Sequence, residues 1–499
     1  MATAEHIAPK SFGAANSKKR VLPLPVLIYL IVVVVPFHFN AGPVLLTGVR
    51  AFLLVLIVPL TIKLFTGKFG RLVFADFLFF LHMGWAAIAL SVNNPDRTVQ
   101  FIGSNAVEFL GGYILARAYV RSPEVLMAVW KVLFVVVILT LPLAAFEAVT
   151  ARPIAIEIIS KLPGIQSLAN IVMESRMGLD RAQVVFAHPI HYGLFCSVTF
   201  SLCVVGMKKE WGNFRRLLTT GMICTGVFLS LSSGALLPVA LQIGLIIWAA
   251  VFDKLKARWM LLMSLIVLAY ITIDLLSNRT PIRVFMSYAT FSPHNAFWRG
   301  LIFEYGIQNV WDSPVFGIGL NDWKRPGWMH ASTVDNFWLL IAMQFGIPGF
   351  ILLVIGYFEI LIRIGVSKVD ADPVTWRLRR AYMFSFIGMT LTLSTVHVWT
   401  NIYSFTFFML GSGVWFIFAK PQAPSDAPEI EEEASGRRPN LARISKDAPV
   451  LARGRAPEPT PKKETATLSR PKEDASAKRR GDGVPFTRFP NGSEPKRRR

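Results

Sequence analysis

Charge is scarce in this chain. Only 17% of its 499 residues are Asp, Glu, Lys or Arg, while 53% are hydrophobic and the mean hydropathy is +0.48. Soluble domains carry about 25% charge, so a soluble globular protein is excluded. Cysteine is rarer still: Cys196, Cys203 and Cys224 are the full complement, and all three fall in apolar runs. That excludes a disulfide framework and a zinc site. The apolar residues come in long runs rather than in strand-like alternation, which excludes an outer-membrane barrel. A nucleotide loop is also missing, because Gly317-Ile-Gly319 lacks the third glycine and the strand–helix setting of that motif. Acidic residues number 31 against 52 Lys and Arg. In a membrane chain this basic excess is a topology signal before it is a nucleic-acid signal, so no nucleic-acid partner is expected.

What is present is a series of apolar segments, each close to the roughly 20 residues that cross a bilayer. They fall at 21–39, 43–62, 72–92, 99–120, 125–149, 188–207, 217–231, 234–251, 259–276, 335–362, 379–397 and 402–419. The expectation is an all-α polytopic membrane protein with about 12 transmembrane helices. Basic residues alternate with the predicted loops: Lys63, Lys68 and Arg71, then Arg117 and Arg121, Lys208 to Arg216, Lys254 to Arg258, and Arg363 to Arg380. By the positive-inside rule these loops, the segment 1–20 and the C-terminus are cytoplasmic. Two long loops, 150–187 and 277–334, then fall on the outer, periplasmic side. Residues 421–499 hold 18 Lys and Arg against 12 Asp and Glu and few large apolar residues, the composition of a disordered cytoplasmic tail. Such a tail is either simply solvated or drawn to anionic membrane lipids.

The long outer segments carry the candidate chemistry. The first ends in Arg176-Met-Gly-Leu-Asp180-Arg181, followed by His188-Pro-Ile-His191. Arginine forks bind phosphate oxygens in pairs and keep their charge, so Arg176, Arg181 and His188 suit a pyrophosphate at a membrane mouth. The His188/His191 pair could instead ligate a metal, but Pro189 interrupts the turn and no carboxylates accompany it, so neither a metal nor a cofactor is assigned. The second segment contains Arg279, Arg283, His294, Arg299, His330 and Asp335. Within it, 297–310 has the spacing of an amphipathic helix lying on the membrane surface. Trp311, Trp323 and Trp328 read as interfacial anchors or as platforms for sugar rings. Arg50, one-third of the way along its segment, either binds an anion or pairs with a carboxylate such as Glu147. Asp76 and Glu108 read as interhelical hydrogen-bonding groups.

Three blocks together resemble the bacterial O-antigen ligase and polysaccharide polymerase superfamily. They are Arg181-Ala-Gln-Val-Val-Phe-Ala-His188-Pro-Ile-His-Tyr-Gly193; Arg299 through Trp311-Asp-Ser-Pro314-Val-Phe-Gly317-Ile-Gly319; and Asp335-Asn336-Phe-Trp with Gly346-Ile-Pro-Gly349. The similarity runs over about 176–361. It implies an inner-membrane glycosyltransferase that takes a glycan from undecaprenyl pyrophosphate on the periplasmic side. The acceptor would be another glycan repeat or lipid A–core, with other polysaccharide-assembly proteins as partners. By this resemblance Arg181 and Arg299 hold the pyrophosphate and Arg50 supports them. The family's loop histidine commonly precedes an asparagine. Here Asp335 precedes Asn336 and His330 lies five residues earlier, so both His330 and Asp335 are candidates for the base. Ser233 stands in an outer turn where the family commonly has arginine.

The Trp- and Phe-rich second loop and the Asp335-Asn336 pair lean the reading from ligase toward polymerase. A secondary transporter or lipid-linked glycan flippase is the competing class. Such folds are usually built on internal repeats, and 21–207 shows no likeness to 217–419. A non-catalytic scaffold presenting the tail would leave the arginines and histidines at the outer mouth unexplained.

Overall fold

The computed structural model describes residues 21–42, 44–171, 173–278, 280–281, 284, 293–330, 332–369 and 372–419. The N-terminal segment, Arg279, Arg283 and the tail after 419 lie outside the described residues. Fourteen α-helices form among them: α1 Leu24–Val34, α2 Gly48–Phe65, α3 Phe74–Asn93, α4 Pro95–Tyr119, α5 Pro123–Thr150, α6 Ile154–Ser160, α7 Pro189–Ser201, α8 Asn213–Leu229, α9 Ser233–Val251, α10 Arg258–Leu276, α11 Pro293–Asp312, α12 Phe337–Val366, α13 Pro373–Leu393 and α14 Thr400–Ser412. A π-helical turn, Leu202–Gly206, extends α7.

Seven of these helices are long and apolar enough to cross a membrane: α2, α3, α5, α7 with its extension, α9, α10 and α12. This makes a multi-pass membrane protein, and it corrects the expectation of about 12 spans. The apolar run 21–39 yields a helix of only 11 residues, because Pro36 ends it and the chain turns into a strand. Helix α8 has 17 residues and α14 has 13. Glu108 and Arg117 make the continuous, 25-residue α4 less apolar, and Arg377, Arg379 and Arg380 make α13 too polar. Hydropathy in these segments comes from burial against other helices: much of α4 and nearly all of α14 are enclosed by protein. The fold is not purely α either. Strands β1 Phe37–Ala41, β2 Val44–Thr47 and β3 Gln166–Ser167 form an antiparallel sheet in the order β2-β1-β3.

The core packs α4 on α14 and α2, and α3 on α12. One buried carboxylate, that of Asp76, is fully partnered. Asp76 accepts from the Val73 amide at 2.8 Å, the Tyr113 hydroxyl at 2.6 Å and Arg117 at 2.9 Å, tying α3 to α4. A carboxylate enclosed in this way persists only because each oxygen has donors. Along α10, by contrast, no residue is buried, as suits an apolar helix surrounded by lipid.

One end of the bundle gathers several connections. β1 pairs with β3 of the 151–188 connection, and Arg176 of that connection hydrogen-bonds the Leu231 carbonyl. Thr392 of α13 donates to the Gly234 carbonyl, and Asn94 donates to Asn321. Helix α12 is broken at this end at Gly346, whose φ is 70° and ψ 179°. The loop 314–319 docks into the break: Ile347 N donates to Pro314 O at 2.8 Å, and Ile318 N to Met343 O at 2.7 Å. The freed backbone groups of the break are thereby satisfied within the protein, which is the condition for irregular backbone at membrane depth. A Cβ on Gly346 would lie 2.1 Å from Val315 O, so backbone contact and the left-handed φ both call for glycine.

Candidate functional site

Helix α5 and the 151–188 connection set the position of Arg181. The Glu147 carboxylate accepts the amides of Gln183 at 2.9 Å and Val184 at 2.8 Å. Gln183 in turn bonds Ile171 N and Ala169 O, folding the connection back on itself. Val184 is held at φ 57°, a conformation that a β-branched residue adopts only when its surroundings impose it. Leu231, in the turn that faces this loop, is likewise left-handed at φ 44°. Backbone strain thus concentrates where the two loops meet. Glu147 organises the loop and does not pair with Arg50, which instead bonds Glu108 at 2.8 Å and Leu45 O at 3.0 Å. The Arg50–Glu108 and Asp76 contacts are interhelical, as the sequence suggested for both carboxylates.

Three arginines converge beside this turn. Arg176 Nη1 donates to Leu231 O at 2.7 Å. Arg181, only 8% exposed, has neutral hydrogen-bond partners, the Ser230 carbonyl at 3.5 Å and Met173 Sδ at 3.2 Å. Arg299, half-buried on α11, lies close enough for its charge to act on Arg181 and to feel that of Arg176. Burial, reinforced by the charges of Arg176 and Arg299, pushes the Arg181 pKa down to about 10. Even so lowered, an arginine keeps its charge at neutral pH. Arg299 is also lowered, by burial first and by Arg176, with Asp335 opposing.

Asp335 shares a small recess with Arg299, Phe303, Ser394 and Thr395. Asn336 caps α12 by accepting the Leu339 amide at 3.0 Å, which fixes Asp335 one residue outside the helix N-terminus. Solvent reaches Asp335, yet the protein walls around it raise its carboxyl above the usual range while the Arg299 charge pulls it down. His330 is solvent-exposed and takes no part in the contacts that assemble this recess. Of the two candidate bases, only Asp335 joins the arginines.

His188 caps α7: its Nδ1 accepts the Ile190 amide at 3.1 Å. That bond selects the neutral tautomer with its hydrogen on Nε2. Burial, and then the Arg181 charge, lower its pKa to about 4. His188 therefore offers one N–H donor beside the arginines. Its ring, and that of His191, pack against Trp399 with centroids 5.9 and 4.0 Å apart. His397 stacks on the other side of the group, 5.6 Å from Trp399 and 6.3 Å from Phe337.

The 394–399 segment was not among the sequence candidates. Its signal was the polar and aromatic run Ser394-Thr-Val-His-Val-Trp399 at the end of an apolar stretch. Arg50 lies apart from the arginine cluster, in a cavity that His397 and Trp399 also line. Among the tryptophans, Trp323 is buried and donates to Ser332 O at 3.0 Å, while Trp311 and Trp328 are exposed.

A multi-pass membrane bundle with a partly buried triple-arginine site at one end is therefore the class that the fold and site define. Residues 218–354 match the family described as O-antigen ligase, so a domain of that family is present over this part of the chain. The match takes in the 229–234 turn, Arg299, Asp335 and the Gly346 break. It begins after the 181–193 block, narrower than the 176–361 expected. No curated protein matches the chain.

Proposed function

We propose that this protein transfers a glycan from an undecaprenyl-pyrophosphate carrier to an acceptor hydroxyl at the periplasmic face of the bacterial inner membrane, in O-antigen or exopolysaccharide assembly. Polymerisation onto another repeat is the preferred outcome over ligation to lipid A–core. The observation that carries the reading is the gathering of Arg176, Arg181 and Arg299 with neutral partners for Arg181. Like charges crowded in a partly desolvated site call for an anion, and two linked phosphates meet that need.

In the reaction the acceptor oxygen bonds to the anomeric carbon as the carbon–phosphate oxygen bond breaks. The leaving pyrophosphate gains charge, which the arginines and the His188 N–H stabilise where it develops. Asp335, more basic than a solvated carboxylate, takes the acceptor's proton. Arg176 fills the position beside the 229–234 turn where Ser233 replaces the family's usual arginine. Arg181→Ala tests the reading: lipid-linked glycan should accumulate and surface polymer disappear at unchanged protein level. Normal surface polymer would remove Arg181 from the reaction.

A further inference from the structure

Beside the His397–Trp399 stack lies a cavity of about 210 Å³ that none of the three clustered arginines lines. Its charged groups cancel. Arg50 and Glu108 are bonded to each other at 2.8 Å, and Arg50 is further committed to Leu45 O. Nothing of the positive excess that marks the arginine cluster is repeated here. The remaining walls mix aromatic faces, Trp399 and Tyr403, with the amides of Asn105 and Gln344. His397 also lines the cavity, and its Nδ1 is buried with no hydrogen-bond partner. A buried polar atom left unpaired is costly and marks a place where a ligand or water supplies the missing bond.

We propose that this cavity receives the terminal sugar of the acceptor, an uncharged pyranose, with one hydroxyl hydrogen-bonded to His397. The assignment rests on the transfer reading and deepens it by placing the two substrates. Charge sorts the reacting ends: the donor's pyrophosphate goes to the arginines, and the uncharged, hydroxyl-rich terminal sugar of the acceptor goes to the balanced cavity. Aromatic faces beside amide groups suit a sugar, which presents C–H faces and hydroxyl edges to the same wall. The 394–399 segment links both places, because Ser394 and Thr395 line the Asp335 recess while His397 and Trp399 line the cavity. A sugar held at His397 would thus lie next to the group that deprotonates its reacting hydroxyl. Burial lowers the His397 pKa to about 4, so the ring is neutral and able to accept that hydrogen bond.

The test uses the full chain in its native host, with Arg181→Ala run alongside. Asn105→Trp fills the cavity and His397→Phe removes the acceptor nitrogen, and each is expected to cut polymer output at least about tenfold at equal membrane abundance. His397→Gln, which keeps an accepting atom, should lose about threefold or less, in line with one hydrogen bond made differently. Independently of output, a benzoylphenylalanine photo-crosslinker at Gln344 should give a carbohydrate-bearing adduct on irradiation. Unchanged polymer in Asn105→Trp and His397→Phe, or a crosslinked chain free of carbohydrate, overturns the acceptor assignment. If Arg181→Ala abolishes transfer while the cavity variants are silent, the acceptor assignment alone falls. Normal glycan in Arg181→Ala removes the transfer reading itself.

Discussion

Arg176 reaches across from the long 151–188 connection to the carbonyl of Leu231, 2.7 Å away. One side chain thereby joins two loops separated by 55 residues and sets a guanidinium beside a turn that carries serine at 232 and 233. Arg176→Ala should lower transfer by more than Arg176→Lys, because lysine keeps charge but loses the fork that bonds Leu231 and an anion together. Polymer output normalised to membrane abundance checks this, and equal output from both variants would show that the fork is dispensable.

Asp335 and His330 make opposite predictions. Asp335→Asn should reduce transfer by about 10²-fold or more, the usual scale for losing a general base, and leave the chain folded because the Asn336 cap is untouched. His330→Gln, on an exposed side chain outside the recess, should stay near wild type. Polymer yields from the two variants, measured in one strain background, decide between them.

Gly346→Ala should be poorly tolerated. The added methyl would meet the Val315 carbonyl at 2.1 Å in a backbone of φ 70°, and either problem alone costs about 1–3 kcal/mol. A fall in membrane abundance and in detergent melting temperature is the expected result.

Glu147→Gln tests how firmly Arg181 is positioned. The carboxylate bonds two backbone amides, and charge-assisted bonds contribute about 1.5–3 kcal/mol each. An amide side chain offers a single accepting oxygen, so the Val184 loop should loosen. Faster hydrogen exchange over 181–185 is expected, with transfer reduced.

Acid should destabilise the site end of the bundle. His188 and His397 both titrate near pH 4 when folded, against about 6.5 unfolded. Between these values the unfolded chain binds more protons, so stability falls as pH drops from about 6.5 toward 4 and is flat above that window. Melting temperatures across pH 4–8 should show this slope, and the double variant His188→Gln/His397→Gln should reduce it.

The sequence carried the arginines, Asp335 and His188 because each is an ionisable group beside an apolar run, where charge is costly and stands out. The role of Glu147 was missed because its partners are backbone amides of a loop, which no side-chain pattern announces. His397 and Trp399 were overlooked because they sit at the edge of an apolar segment and look like span and turn. The number of spans was overestimated for a related reason. Mean hydropathy does not distinguish a helix enclosed by protein, such as α14, from one facing lipid, such as α10. The docking of 314–319 into the Gly346 break joins two of the family-like blocks in space, a contact that their separation along the chain did not reveal.

The proposed role of the arginine cluster is to hold a lipid-linked pyrophosphate donor. The most direct measurement is to delete the gene in its host, complement it with wild type or Arg299→Ala, and separate lipid-linked intermediates, lipopolysaccharide and secreted polysaccharide by size. Single lipid-linked repeats in place of polymer are expected in the deletion and in Arg299→Ala, with wild type restoring the polymer. Normal profiles of all three fractions in the deletion strain, with no second copy of the gene present, would contradict that role.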